Sequence, residues 1–458
     1  MKEKKKFRLF DAVLAAVCIV LVVESVVPAA SIGSSQFFWW FFLLLGFFLP
    51  YGMISSELGT TYEDEGGICD WVRRAFGQKW GARVAWYYYI NFPLWMGSLA
   101  VLFSDVLFQL LGRDAGRVTV TVIRLLFIWC VVFVSSFRVS DSKWILNSAA
   151  VSKAAILLLL GGLGIRAALT QGIANDFSFS ALLPSFDGSS ISNLSVILFN
   201  FLGFEVVTTF ASDMENPDRE IPRAIVVGGL MIAFFYLFAA FGISAAVPYE
   251  ELSASSGLLD SFSLLLGEKA KWVLIPIGIA FLYTLAANLI SWSLGVNYVA
   301  QVASERQELP RLFSLTGKKN GMPLGAGLMN GAIASAIVIA APFVPSQDVF
   351  WSFFALNMVM LLFSYLPVFP AFYKLRKTDP DRERPFRVKG GKGKLLLICF
   401  LPMILLGLSV FFSVVPLSFD KKELGEKLPI LIGTALSLGI GEIIAARAGK
   451  SKRKDVSE

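Results

Sequence analysis

The 458 residues are 56% hydrophobic and 16% charged, where a soluble domain carries about 45–50% and about 25%. The apolar residues cluster in runs of roughly 20, long enough to cross a bilayer core as helices, which excludes a soluble globular chain. There is no histidine, which excludes a Ser-His-Asp triad, His-ligated zinc and His-ligated haem.

In chain order, spans are expected at 9–30, 36–58, 82–111, 118–137, 144–168, 190–212, 222–247, 270–301, 322–343, 348–374, 395–416 and 428–448. The fold class is therefore an all-α integral membrane protein of about 12 transmembrane helices. If both ends face one side, the loops of that side and the span ends beside them hold 31 of the 41 Lys and Arg. That asymmetry places residues 1–8 and the tail 449–458 in the cytoplasm. It makes the +7 net charge an orientation signal, and no nucleic-acid partner is expected. The first apolar run is too long for a cleavable signal and lacks a clear cleavage site. Cys18, Cys130 and Cys399 lie in apolar runs and Cys69 in a loop, without CxxC spacing, so neither a disulfide frame nor a metal cluster is expected.

Several spans carry groups that are costly inside a membrane. Glu24, in VVESVVPAA, lies 15 residues after Leu9, about 22 Å along a helix. Glu205, in SNLSVILFNFLGFEVVTTF, lies 15 residues after Ser190, at the same depth from the opposite edge. Mirror-related depths in spans one and six are what an inverted repeat of five spans predicts, with half-helices breaking near the midplane. Pro28 and Gly203 are the candidate breakers. The competing reading is that both acids only hydrogen-bond neighbouring helices. Lys153 sits nine residues into the fifth span, about 13 Å deep and deeper than a snorkelling lysine requires. Pairing with Glu24 is sterically open but not required. Asp105 and Arg124 read as solvated vestibule charges, and Trp39, Trp40 and Trp95 as belt or packing residues.

Three stretches converge on one family. NFLGFEVVTTFASDMENPDREIPRAI (200–225), ELGTTYEDEGGICDWVRRAFG (57–77) and RPFRVKGGKGK (384–394) resemble motifs of the amino acid–polyamine–organocation superfamily. VVESVVP, the Glu-Gly-Gly loop, NLISWSLG (288–295) and PFRVKGGKGK are most similar to its bacterial glutamate/GABA antiporter group. The resemblance implies a 5+5 inverted repeat, LeuT-like, plus two C-terminal helices. The first repeat would be 9–168, the second 190–374, and the last two helices 395–448. It also implies a substrate site built from Val22, Val23, Glu24 and Ser25 in span one, from Phe199, Asn200, Phe201, Leu202 and Gly203 in span six, and from Trp292 in span eight. Glu205 matches a glutamate linked to pH-dependent gating. Lys153 matches a lysine whose ammonium stands where sodium sits in sodium-coupled relatives. Two departures stand out. Span one lacks the Gly-Ser-Gly type of motif whose amides bind a substrate carboxylate, and only AGKSKRKDVSE follows Arg447, so gating by a long C-terminal plug is not expected.

The expected activity is sodium-independent secondary transport of amino acids by alternating access in the bacterial inner membrane. Exchange of an amino acid for another or for its decarboxylation product, such as glutamate for GABA, leads; a proton-coupled amino acid or polyamine symporter is the alternative. The partners are a small amino acid or amine and the lipid bilayer, the chain working as monomer or homodimer. No cofactor is expected. An enzyme lacks its usual motifs here, a channel lacks a repeated filter, and a non-transporting sensor has no separate signal. Glu24 leaves the substrate open, since it either attracts a cationic amine or balances Lys153.

Overall fold

A computed structural model describes all residues except 1–8, 63–65, 138–142, 185–187, 206, 208–213, 215, 253–256, 268–270, 319, 344–348, 419 and 456–458. The N-terminal segment 1–8, the acidic run 63–65 and much of the stretch after Glu205 therefore lie outside the described residues. Among the described residues the fold is all-helical. The elements are α1 (Leu9–Val20), α2 (Val26–Ala30), α3 (Gln36–Thr61), α4 (Gly67–Phe76), α5 (Gln78–Leu111), α6 (Arg117–Ser135) and α7 (Lys143–Gln171). They continue as α8 (Gly188–Phe199), α9 (Pro217–Ala246), α10 (Lys271–Glu305), α11 (Leu324–Ala340), α12 (Val349–Thr378), α13 (Lys392–Val414) and α14 (Lys421–Asp455). Among the described residues ten helices are long and apolar enough to cross a membrane, or eleven with α1 and α2 taken as one bent span. The expected sixth span meets the shorter α8 and the turn after it. Cys69, expected in a loop, lies in α4.

The first span breaks where its sequence weakens a helix. Val22, Val23, Val26 and Val27 crowd β-branched side chains around Glu24. The chain leaves α1 after Val20, passes Val22 in an extended conformation (φ −105°, ψ 99°), and makes a 3₁₀ turn over Val23–Ser25 before α2. The two halves are bent by 47°. Pro28 is not at this break: it is the third residue of α2, in the first turn, where a missing N–H leaves no hydrogen bond unmade. Span six ends its helix at Phe199, and 3₁₀-type bonds from Phe201 N to Leu198 O and from Leu202 N to Phe199 O (both 3.0 Å) close the end. Gly203 then takes φ +96°, a conformation open chiefly to glycine.

These two breaks are held in the interior. α12 is the most enclosed of the long helices, whereas α6 and α14 lie at the rim and turn Leu126, Phe133, Leu436 and Ile443 outward. α7 and α9 meet at small residues: a Cβ on Gly164 would stand 2.0 Å from the Gly242 carbonyl oxygen, the close backbone approach typical of membrane helices.

At one end of the bundle, two buried acids tie the motif loops together. Glu57, at the end of α3, accepts from Arg376 Nε (2.8 Å) and from the Val388 N–H (2.7 Å), and Arg384 lies 3.2 Å away. Asp70, on α4, is bonded by Arg73, by Arg74 at 2.7 Å and by Arg306 at 2.7 Å. Arg124 and Asp105, read above as separate vestibule charges, pair with each other at 3.1 Å.

Candidate functional site

Breaking a helix strands its last carbonyls. In the first span, three partners meet them. Val17 O accepts the Leu21 N–H at 2.9 Å. Cys18 O accepts Lys153 Nζ at 2.5 Å, and Ile19 O accepts Trp292 Nε1 at 2.9 Å. Lys153 is completely buried. Its charge thus sits at the carboxyl end of α1, where the helix dipole favours a cation. No ion pair joins Lys153 to Glu24 among the described residues, although the two interact electrostatically.

The unwound stretch is joined to span six by a closed hydrogen-bond set. Ser25 Oγ lies 2.7 Å from the Val22 carbonyl and 2.8 Å from Asn200 Oδ1. The Tyr236 hydroxyl, from α9, accepts the Val22 N–H at 2.7 Å. It stands 3.1 Å from the same two acceptors, the Val22 carbonyl and Asn200 Oδ1. Two hydroxyl protons thus serve two acceptors. Trp292 fills the space beside this set: a Cβ on Gly203 would lie 3.0 Å from Trp292 Cζ2 and 3.4 Å from a Val20 methyl.

Three buried polar atoms in and around these elements have no hydrogen-bond partner among the described residues: Glu24 Oε1, Asn200 Nδ2 and Asn288 Nδ2. An unpaired buried polar group costs about 1–3 kcal/mol, more when charged, so each is a candidate position for a bound polar ligand. Asn288 lies one helical turn before Trp292, and its Oδ1 accepts Trp95 Nε1 at 3.0 Å. Trp95 in turn packs with Phe199 and Phe354, ring centroids 5.8 and 5.3 Å away.

All twelve residues named from the sequence are buried, but they divide into groups. Val22, Ser25 and Asn200 meet directly, and Gly203 and Trp292 close over the end of α1. Val23 and Leu202 are sunk in the core. Phe201 packs against Trp40 and Phe48, at 5.3 and 5.4 Å between ring centroids. Glu205 belongs to a separate cluster: its carboxylate accepts from the hydroxyls of Tyr51 and Tyr365 and from Tyr88 at 3.3 Å, joining α3, α5 and α12.

The reading of the sequence passed over Tyr236, Asn288, Tyr51, Tyr88 and Tyr365, and treated Trp95 as a belt or packing residue. Asn288 carries a usable signal, a side-chain amide in an apolar run. The tyrosines do not, because tyrosine is common at membrane surfaces, and only packing tells a buried one apart.

A family model described as "Amino acid permease" matches residues 7–437. The chain is 52% identical over 444 residues to the probable agmatine/putrescine antiporter of Lactococcus lactis subsp. lactis strain IL1403, covering 97% of this chain and 95% of that protein. It is 23% identical to the glutamate/gamma-aminobutyrate antiporter of the same strain, over 81% of this chain and 76% of the relative. It is also 23% identical to a probable polyamine transporter of Arabidopsis thaliana, over 78% and 69% of the two chains.

Proposed function

Because the chain belongs to the amino acid permease family, within the APC superfamily, we propose that it is a sodium-independent antiporter exchanging cationic amines by alternating access. The observation that carries this reading is the pair of adjoining helix breaks, sealed from solvent and holding the unpaired carboxylate oxygen of Glu24. Half-helices that break beside each other offer polar groups to a substrate that crosses between two inverted repeats, here residues 9–168 and 190–374. A buried carboxylate in that position attracts an ammonium or guanidinium group. The 52% identical relative, named for agmatine and putrescine, supports the same class, and we take these two amines as the exchanged pair. Glutamate and GABA, named for the 23% identical relative, form the less favoured pair.

Each residue then has a task. Lys153 supplies a fixed positive charge at the end of α1, so that no sodium ion is needed there. Trp292, anchored on Ile19, closes over the site, and Phe199 with Trp95 offers an aromatic wall, on which a cation gains about 0.5–2 kcal/mol. The Glu205 cluster ties together helices that separate when the site opens. The placement of Lys and Arg supports a cytoplasmic position for both ends.

The test is counterflow in sodium-free proteoliposomes loaded with putrescine, following entry of labelled agmatine. Uptake that requires the internal amine and is unchanged by sodium supports the reading. Uptake driven by a proton gradient without internal substrate would replace it with symport.

A further inference from the structure

The unwound part of a membrane helix ordinarily presents free main-chain N–H groups, and these receive anionic groups of a substrate. Here the protein itself takes those of Leu21, Val22 and Ser25. The N–H of Leu21 goes to Val17 O at 2.9 Å and that of Ser25 to Val22 O at 3.2 Å. The N–H of Val22 goes to the Tyr236 hydroxyl at 2.7 Å. Tyr236 cannot easily give it up. Its ring is fully buried and stacks on Trp40, centroids 4.9 Å apart and planes at 23°, and its oxygen is held between Val22 and Asn200.

We propose that Tyr236 is a specificity-determining residue: its hydroxyl caps the Val22 N–H, withholding the donor a substrate carboxylate would take, so that the site rejects amino acids whose decarboxylated amines it accepts. The surrounding charges act in the same direction. Glu24 puts a carboxylate with an unpaired oxygen into the same stretch, which repels a second carboxylate and attracts an amine. Lys153, the nearby cation, is spent on the Cys18 carbonyl. Discrimination of this kind comes from leaving the wrong substrate's polar group unpaired, which is more selective than shape alone. The inference rests on the amine-exchange reading above and deepens it.

The experiment uses the full-length protein in putrescine-loaded liposomes and two matched pairs of competitors against labelled putrescine: putrescine with ornithine, and agmatine with arginine. Each pair differs by one carboxylate. In the wild type, the carboxylated member should compete at least ~100-fold more weakly. Tyr236→Phe keeps the ring on Trp40 and frees the Val22 N–H. It should narrow that ratio by about 10-fold, the worth of one hydrogen bond of about 1.4 kcal/mol. A purely structural Tyr236 would lower both rates and leave the ratio alone. Tyr236→Leu, run in parallel, also lacks the hydroxyl and guards against one variant failing to insert. A wild type in which ornithine matches putrescine overturns the proposal without any variant. So does an unchanged ratio in an active Tyr236 variant. Absence of amine counterflow in the wild type removes the exchange reading, and this inference with it.

Discussion

Lys153 and Cys18 lie 135 positions apart in the chain, yet Lys153 Nζ donates to the Cys18 main-chain carbonyl at 2.5 Å in a site with no solvent access. The carbonyl is unused by its own helix because α1 stops two residues later, at Val20. From the interior of α7 the lysine thus completes the broken end of α1, and its charge is matched by the helix terminus. Trp292 does the same for the next carbonyl, Ile19. The break is in this way kept from being an unsatisfied defect.

Lys153→Ala removes both the donor and the charge. Transport should fall at least ~10-fold with expression retained, while the orphaned carbonyl costs about 1–3 kcal/mol of stability. Counterflow rates and detergent melting, measured together, check this. Near-normal transport would sink the sodium-replacing role.

Trp292→Phe keeps an aromatic ring and loses the bond to Ile19 O, whereas Trp292→Ala also opens the space beside Gly203. The expected order of amine affinity is wild type, then Phe, then Ala, read as KM of counterflow. Equal KM values for all three would leave Trp292 as packing alone.

Glu205 receives three tyrosine hydroxyls. Glu205→Gln keeps one carbonyl oxygen and replaces the other with a donor, so at least one tyrosine loses its acceptor. The variant should shift the pH dependence of flux and melt at lower temperature. An identical pH curve removes Glu205 as a pH-dependent gate.

Glu308 lies beyond the end of α10, 3.6 Å from Arg73, and burial pushes its carboxyl up to about 7 from an ordinary 4.5. Because the folded pKa is raised, the folded state holds a proton that the unfolded chain has released. Stability therefore falls as pH rises from about 4.5 to about 7, by no more than about 3 kcal/mol. Glu308→Gln should melt like the wild type at pH 4 and higher than it at pH 8. A constant difference across that range would contradict the assignment.

The Gly203 prediction joins sequence and structure. Its φ of +96° and the 3.0 Å approach of Trp292 mean that Gly203→Ala strains the backbone, which costs on the order of 1–3 kcal/mol. It should also displace the tryptophan, seen as a change in intrinsic fluorescence alongside slower exchange. Unaltered fluorescence and rate would show that the turn adapts.

Much of this protein was legible in its residues. The helical membrane class, the positions of most spans and the unusual character of Glu24, Lys153 and Glu205 follow from hydropathy and the cost of charge in hydrocarbon, which act along the chain. A break in span one was expected from the sequence, although Pro28, the expected breaker, lies beyond it in α2. Partners were not legible. That Lys153 meets a carbonyl of α1 rather than Glu24, that Tyr236 takes the Val22 amide, and that three tyrosines gather on Glu205 are outcomes of helix packing. A membrane span's polar residue must find a partner, so its presence can be read from the sequence. Which partner it finds depends on crossing angles and rotations between helices distant in the chain, and only the tertiary structure decides those.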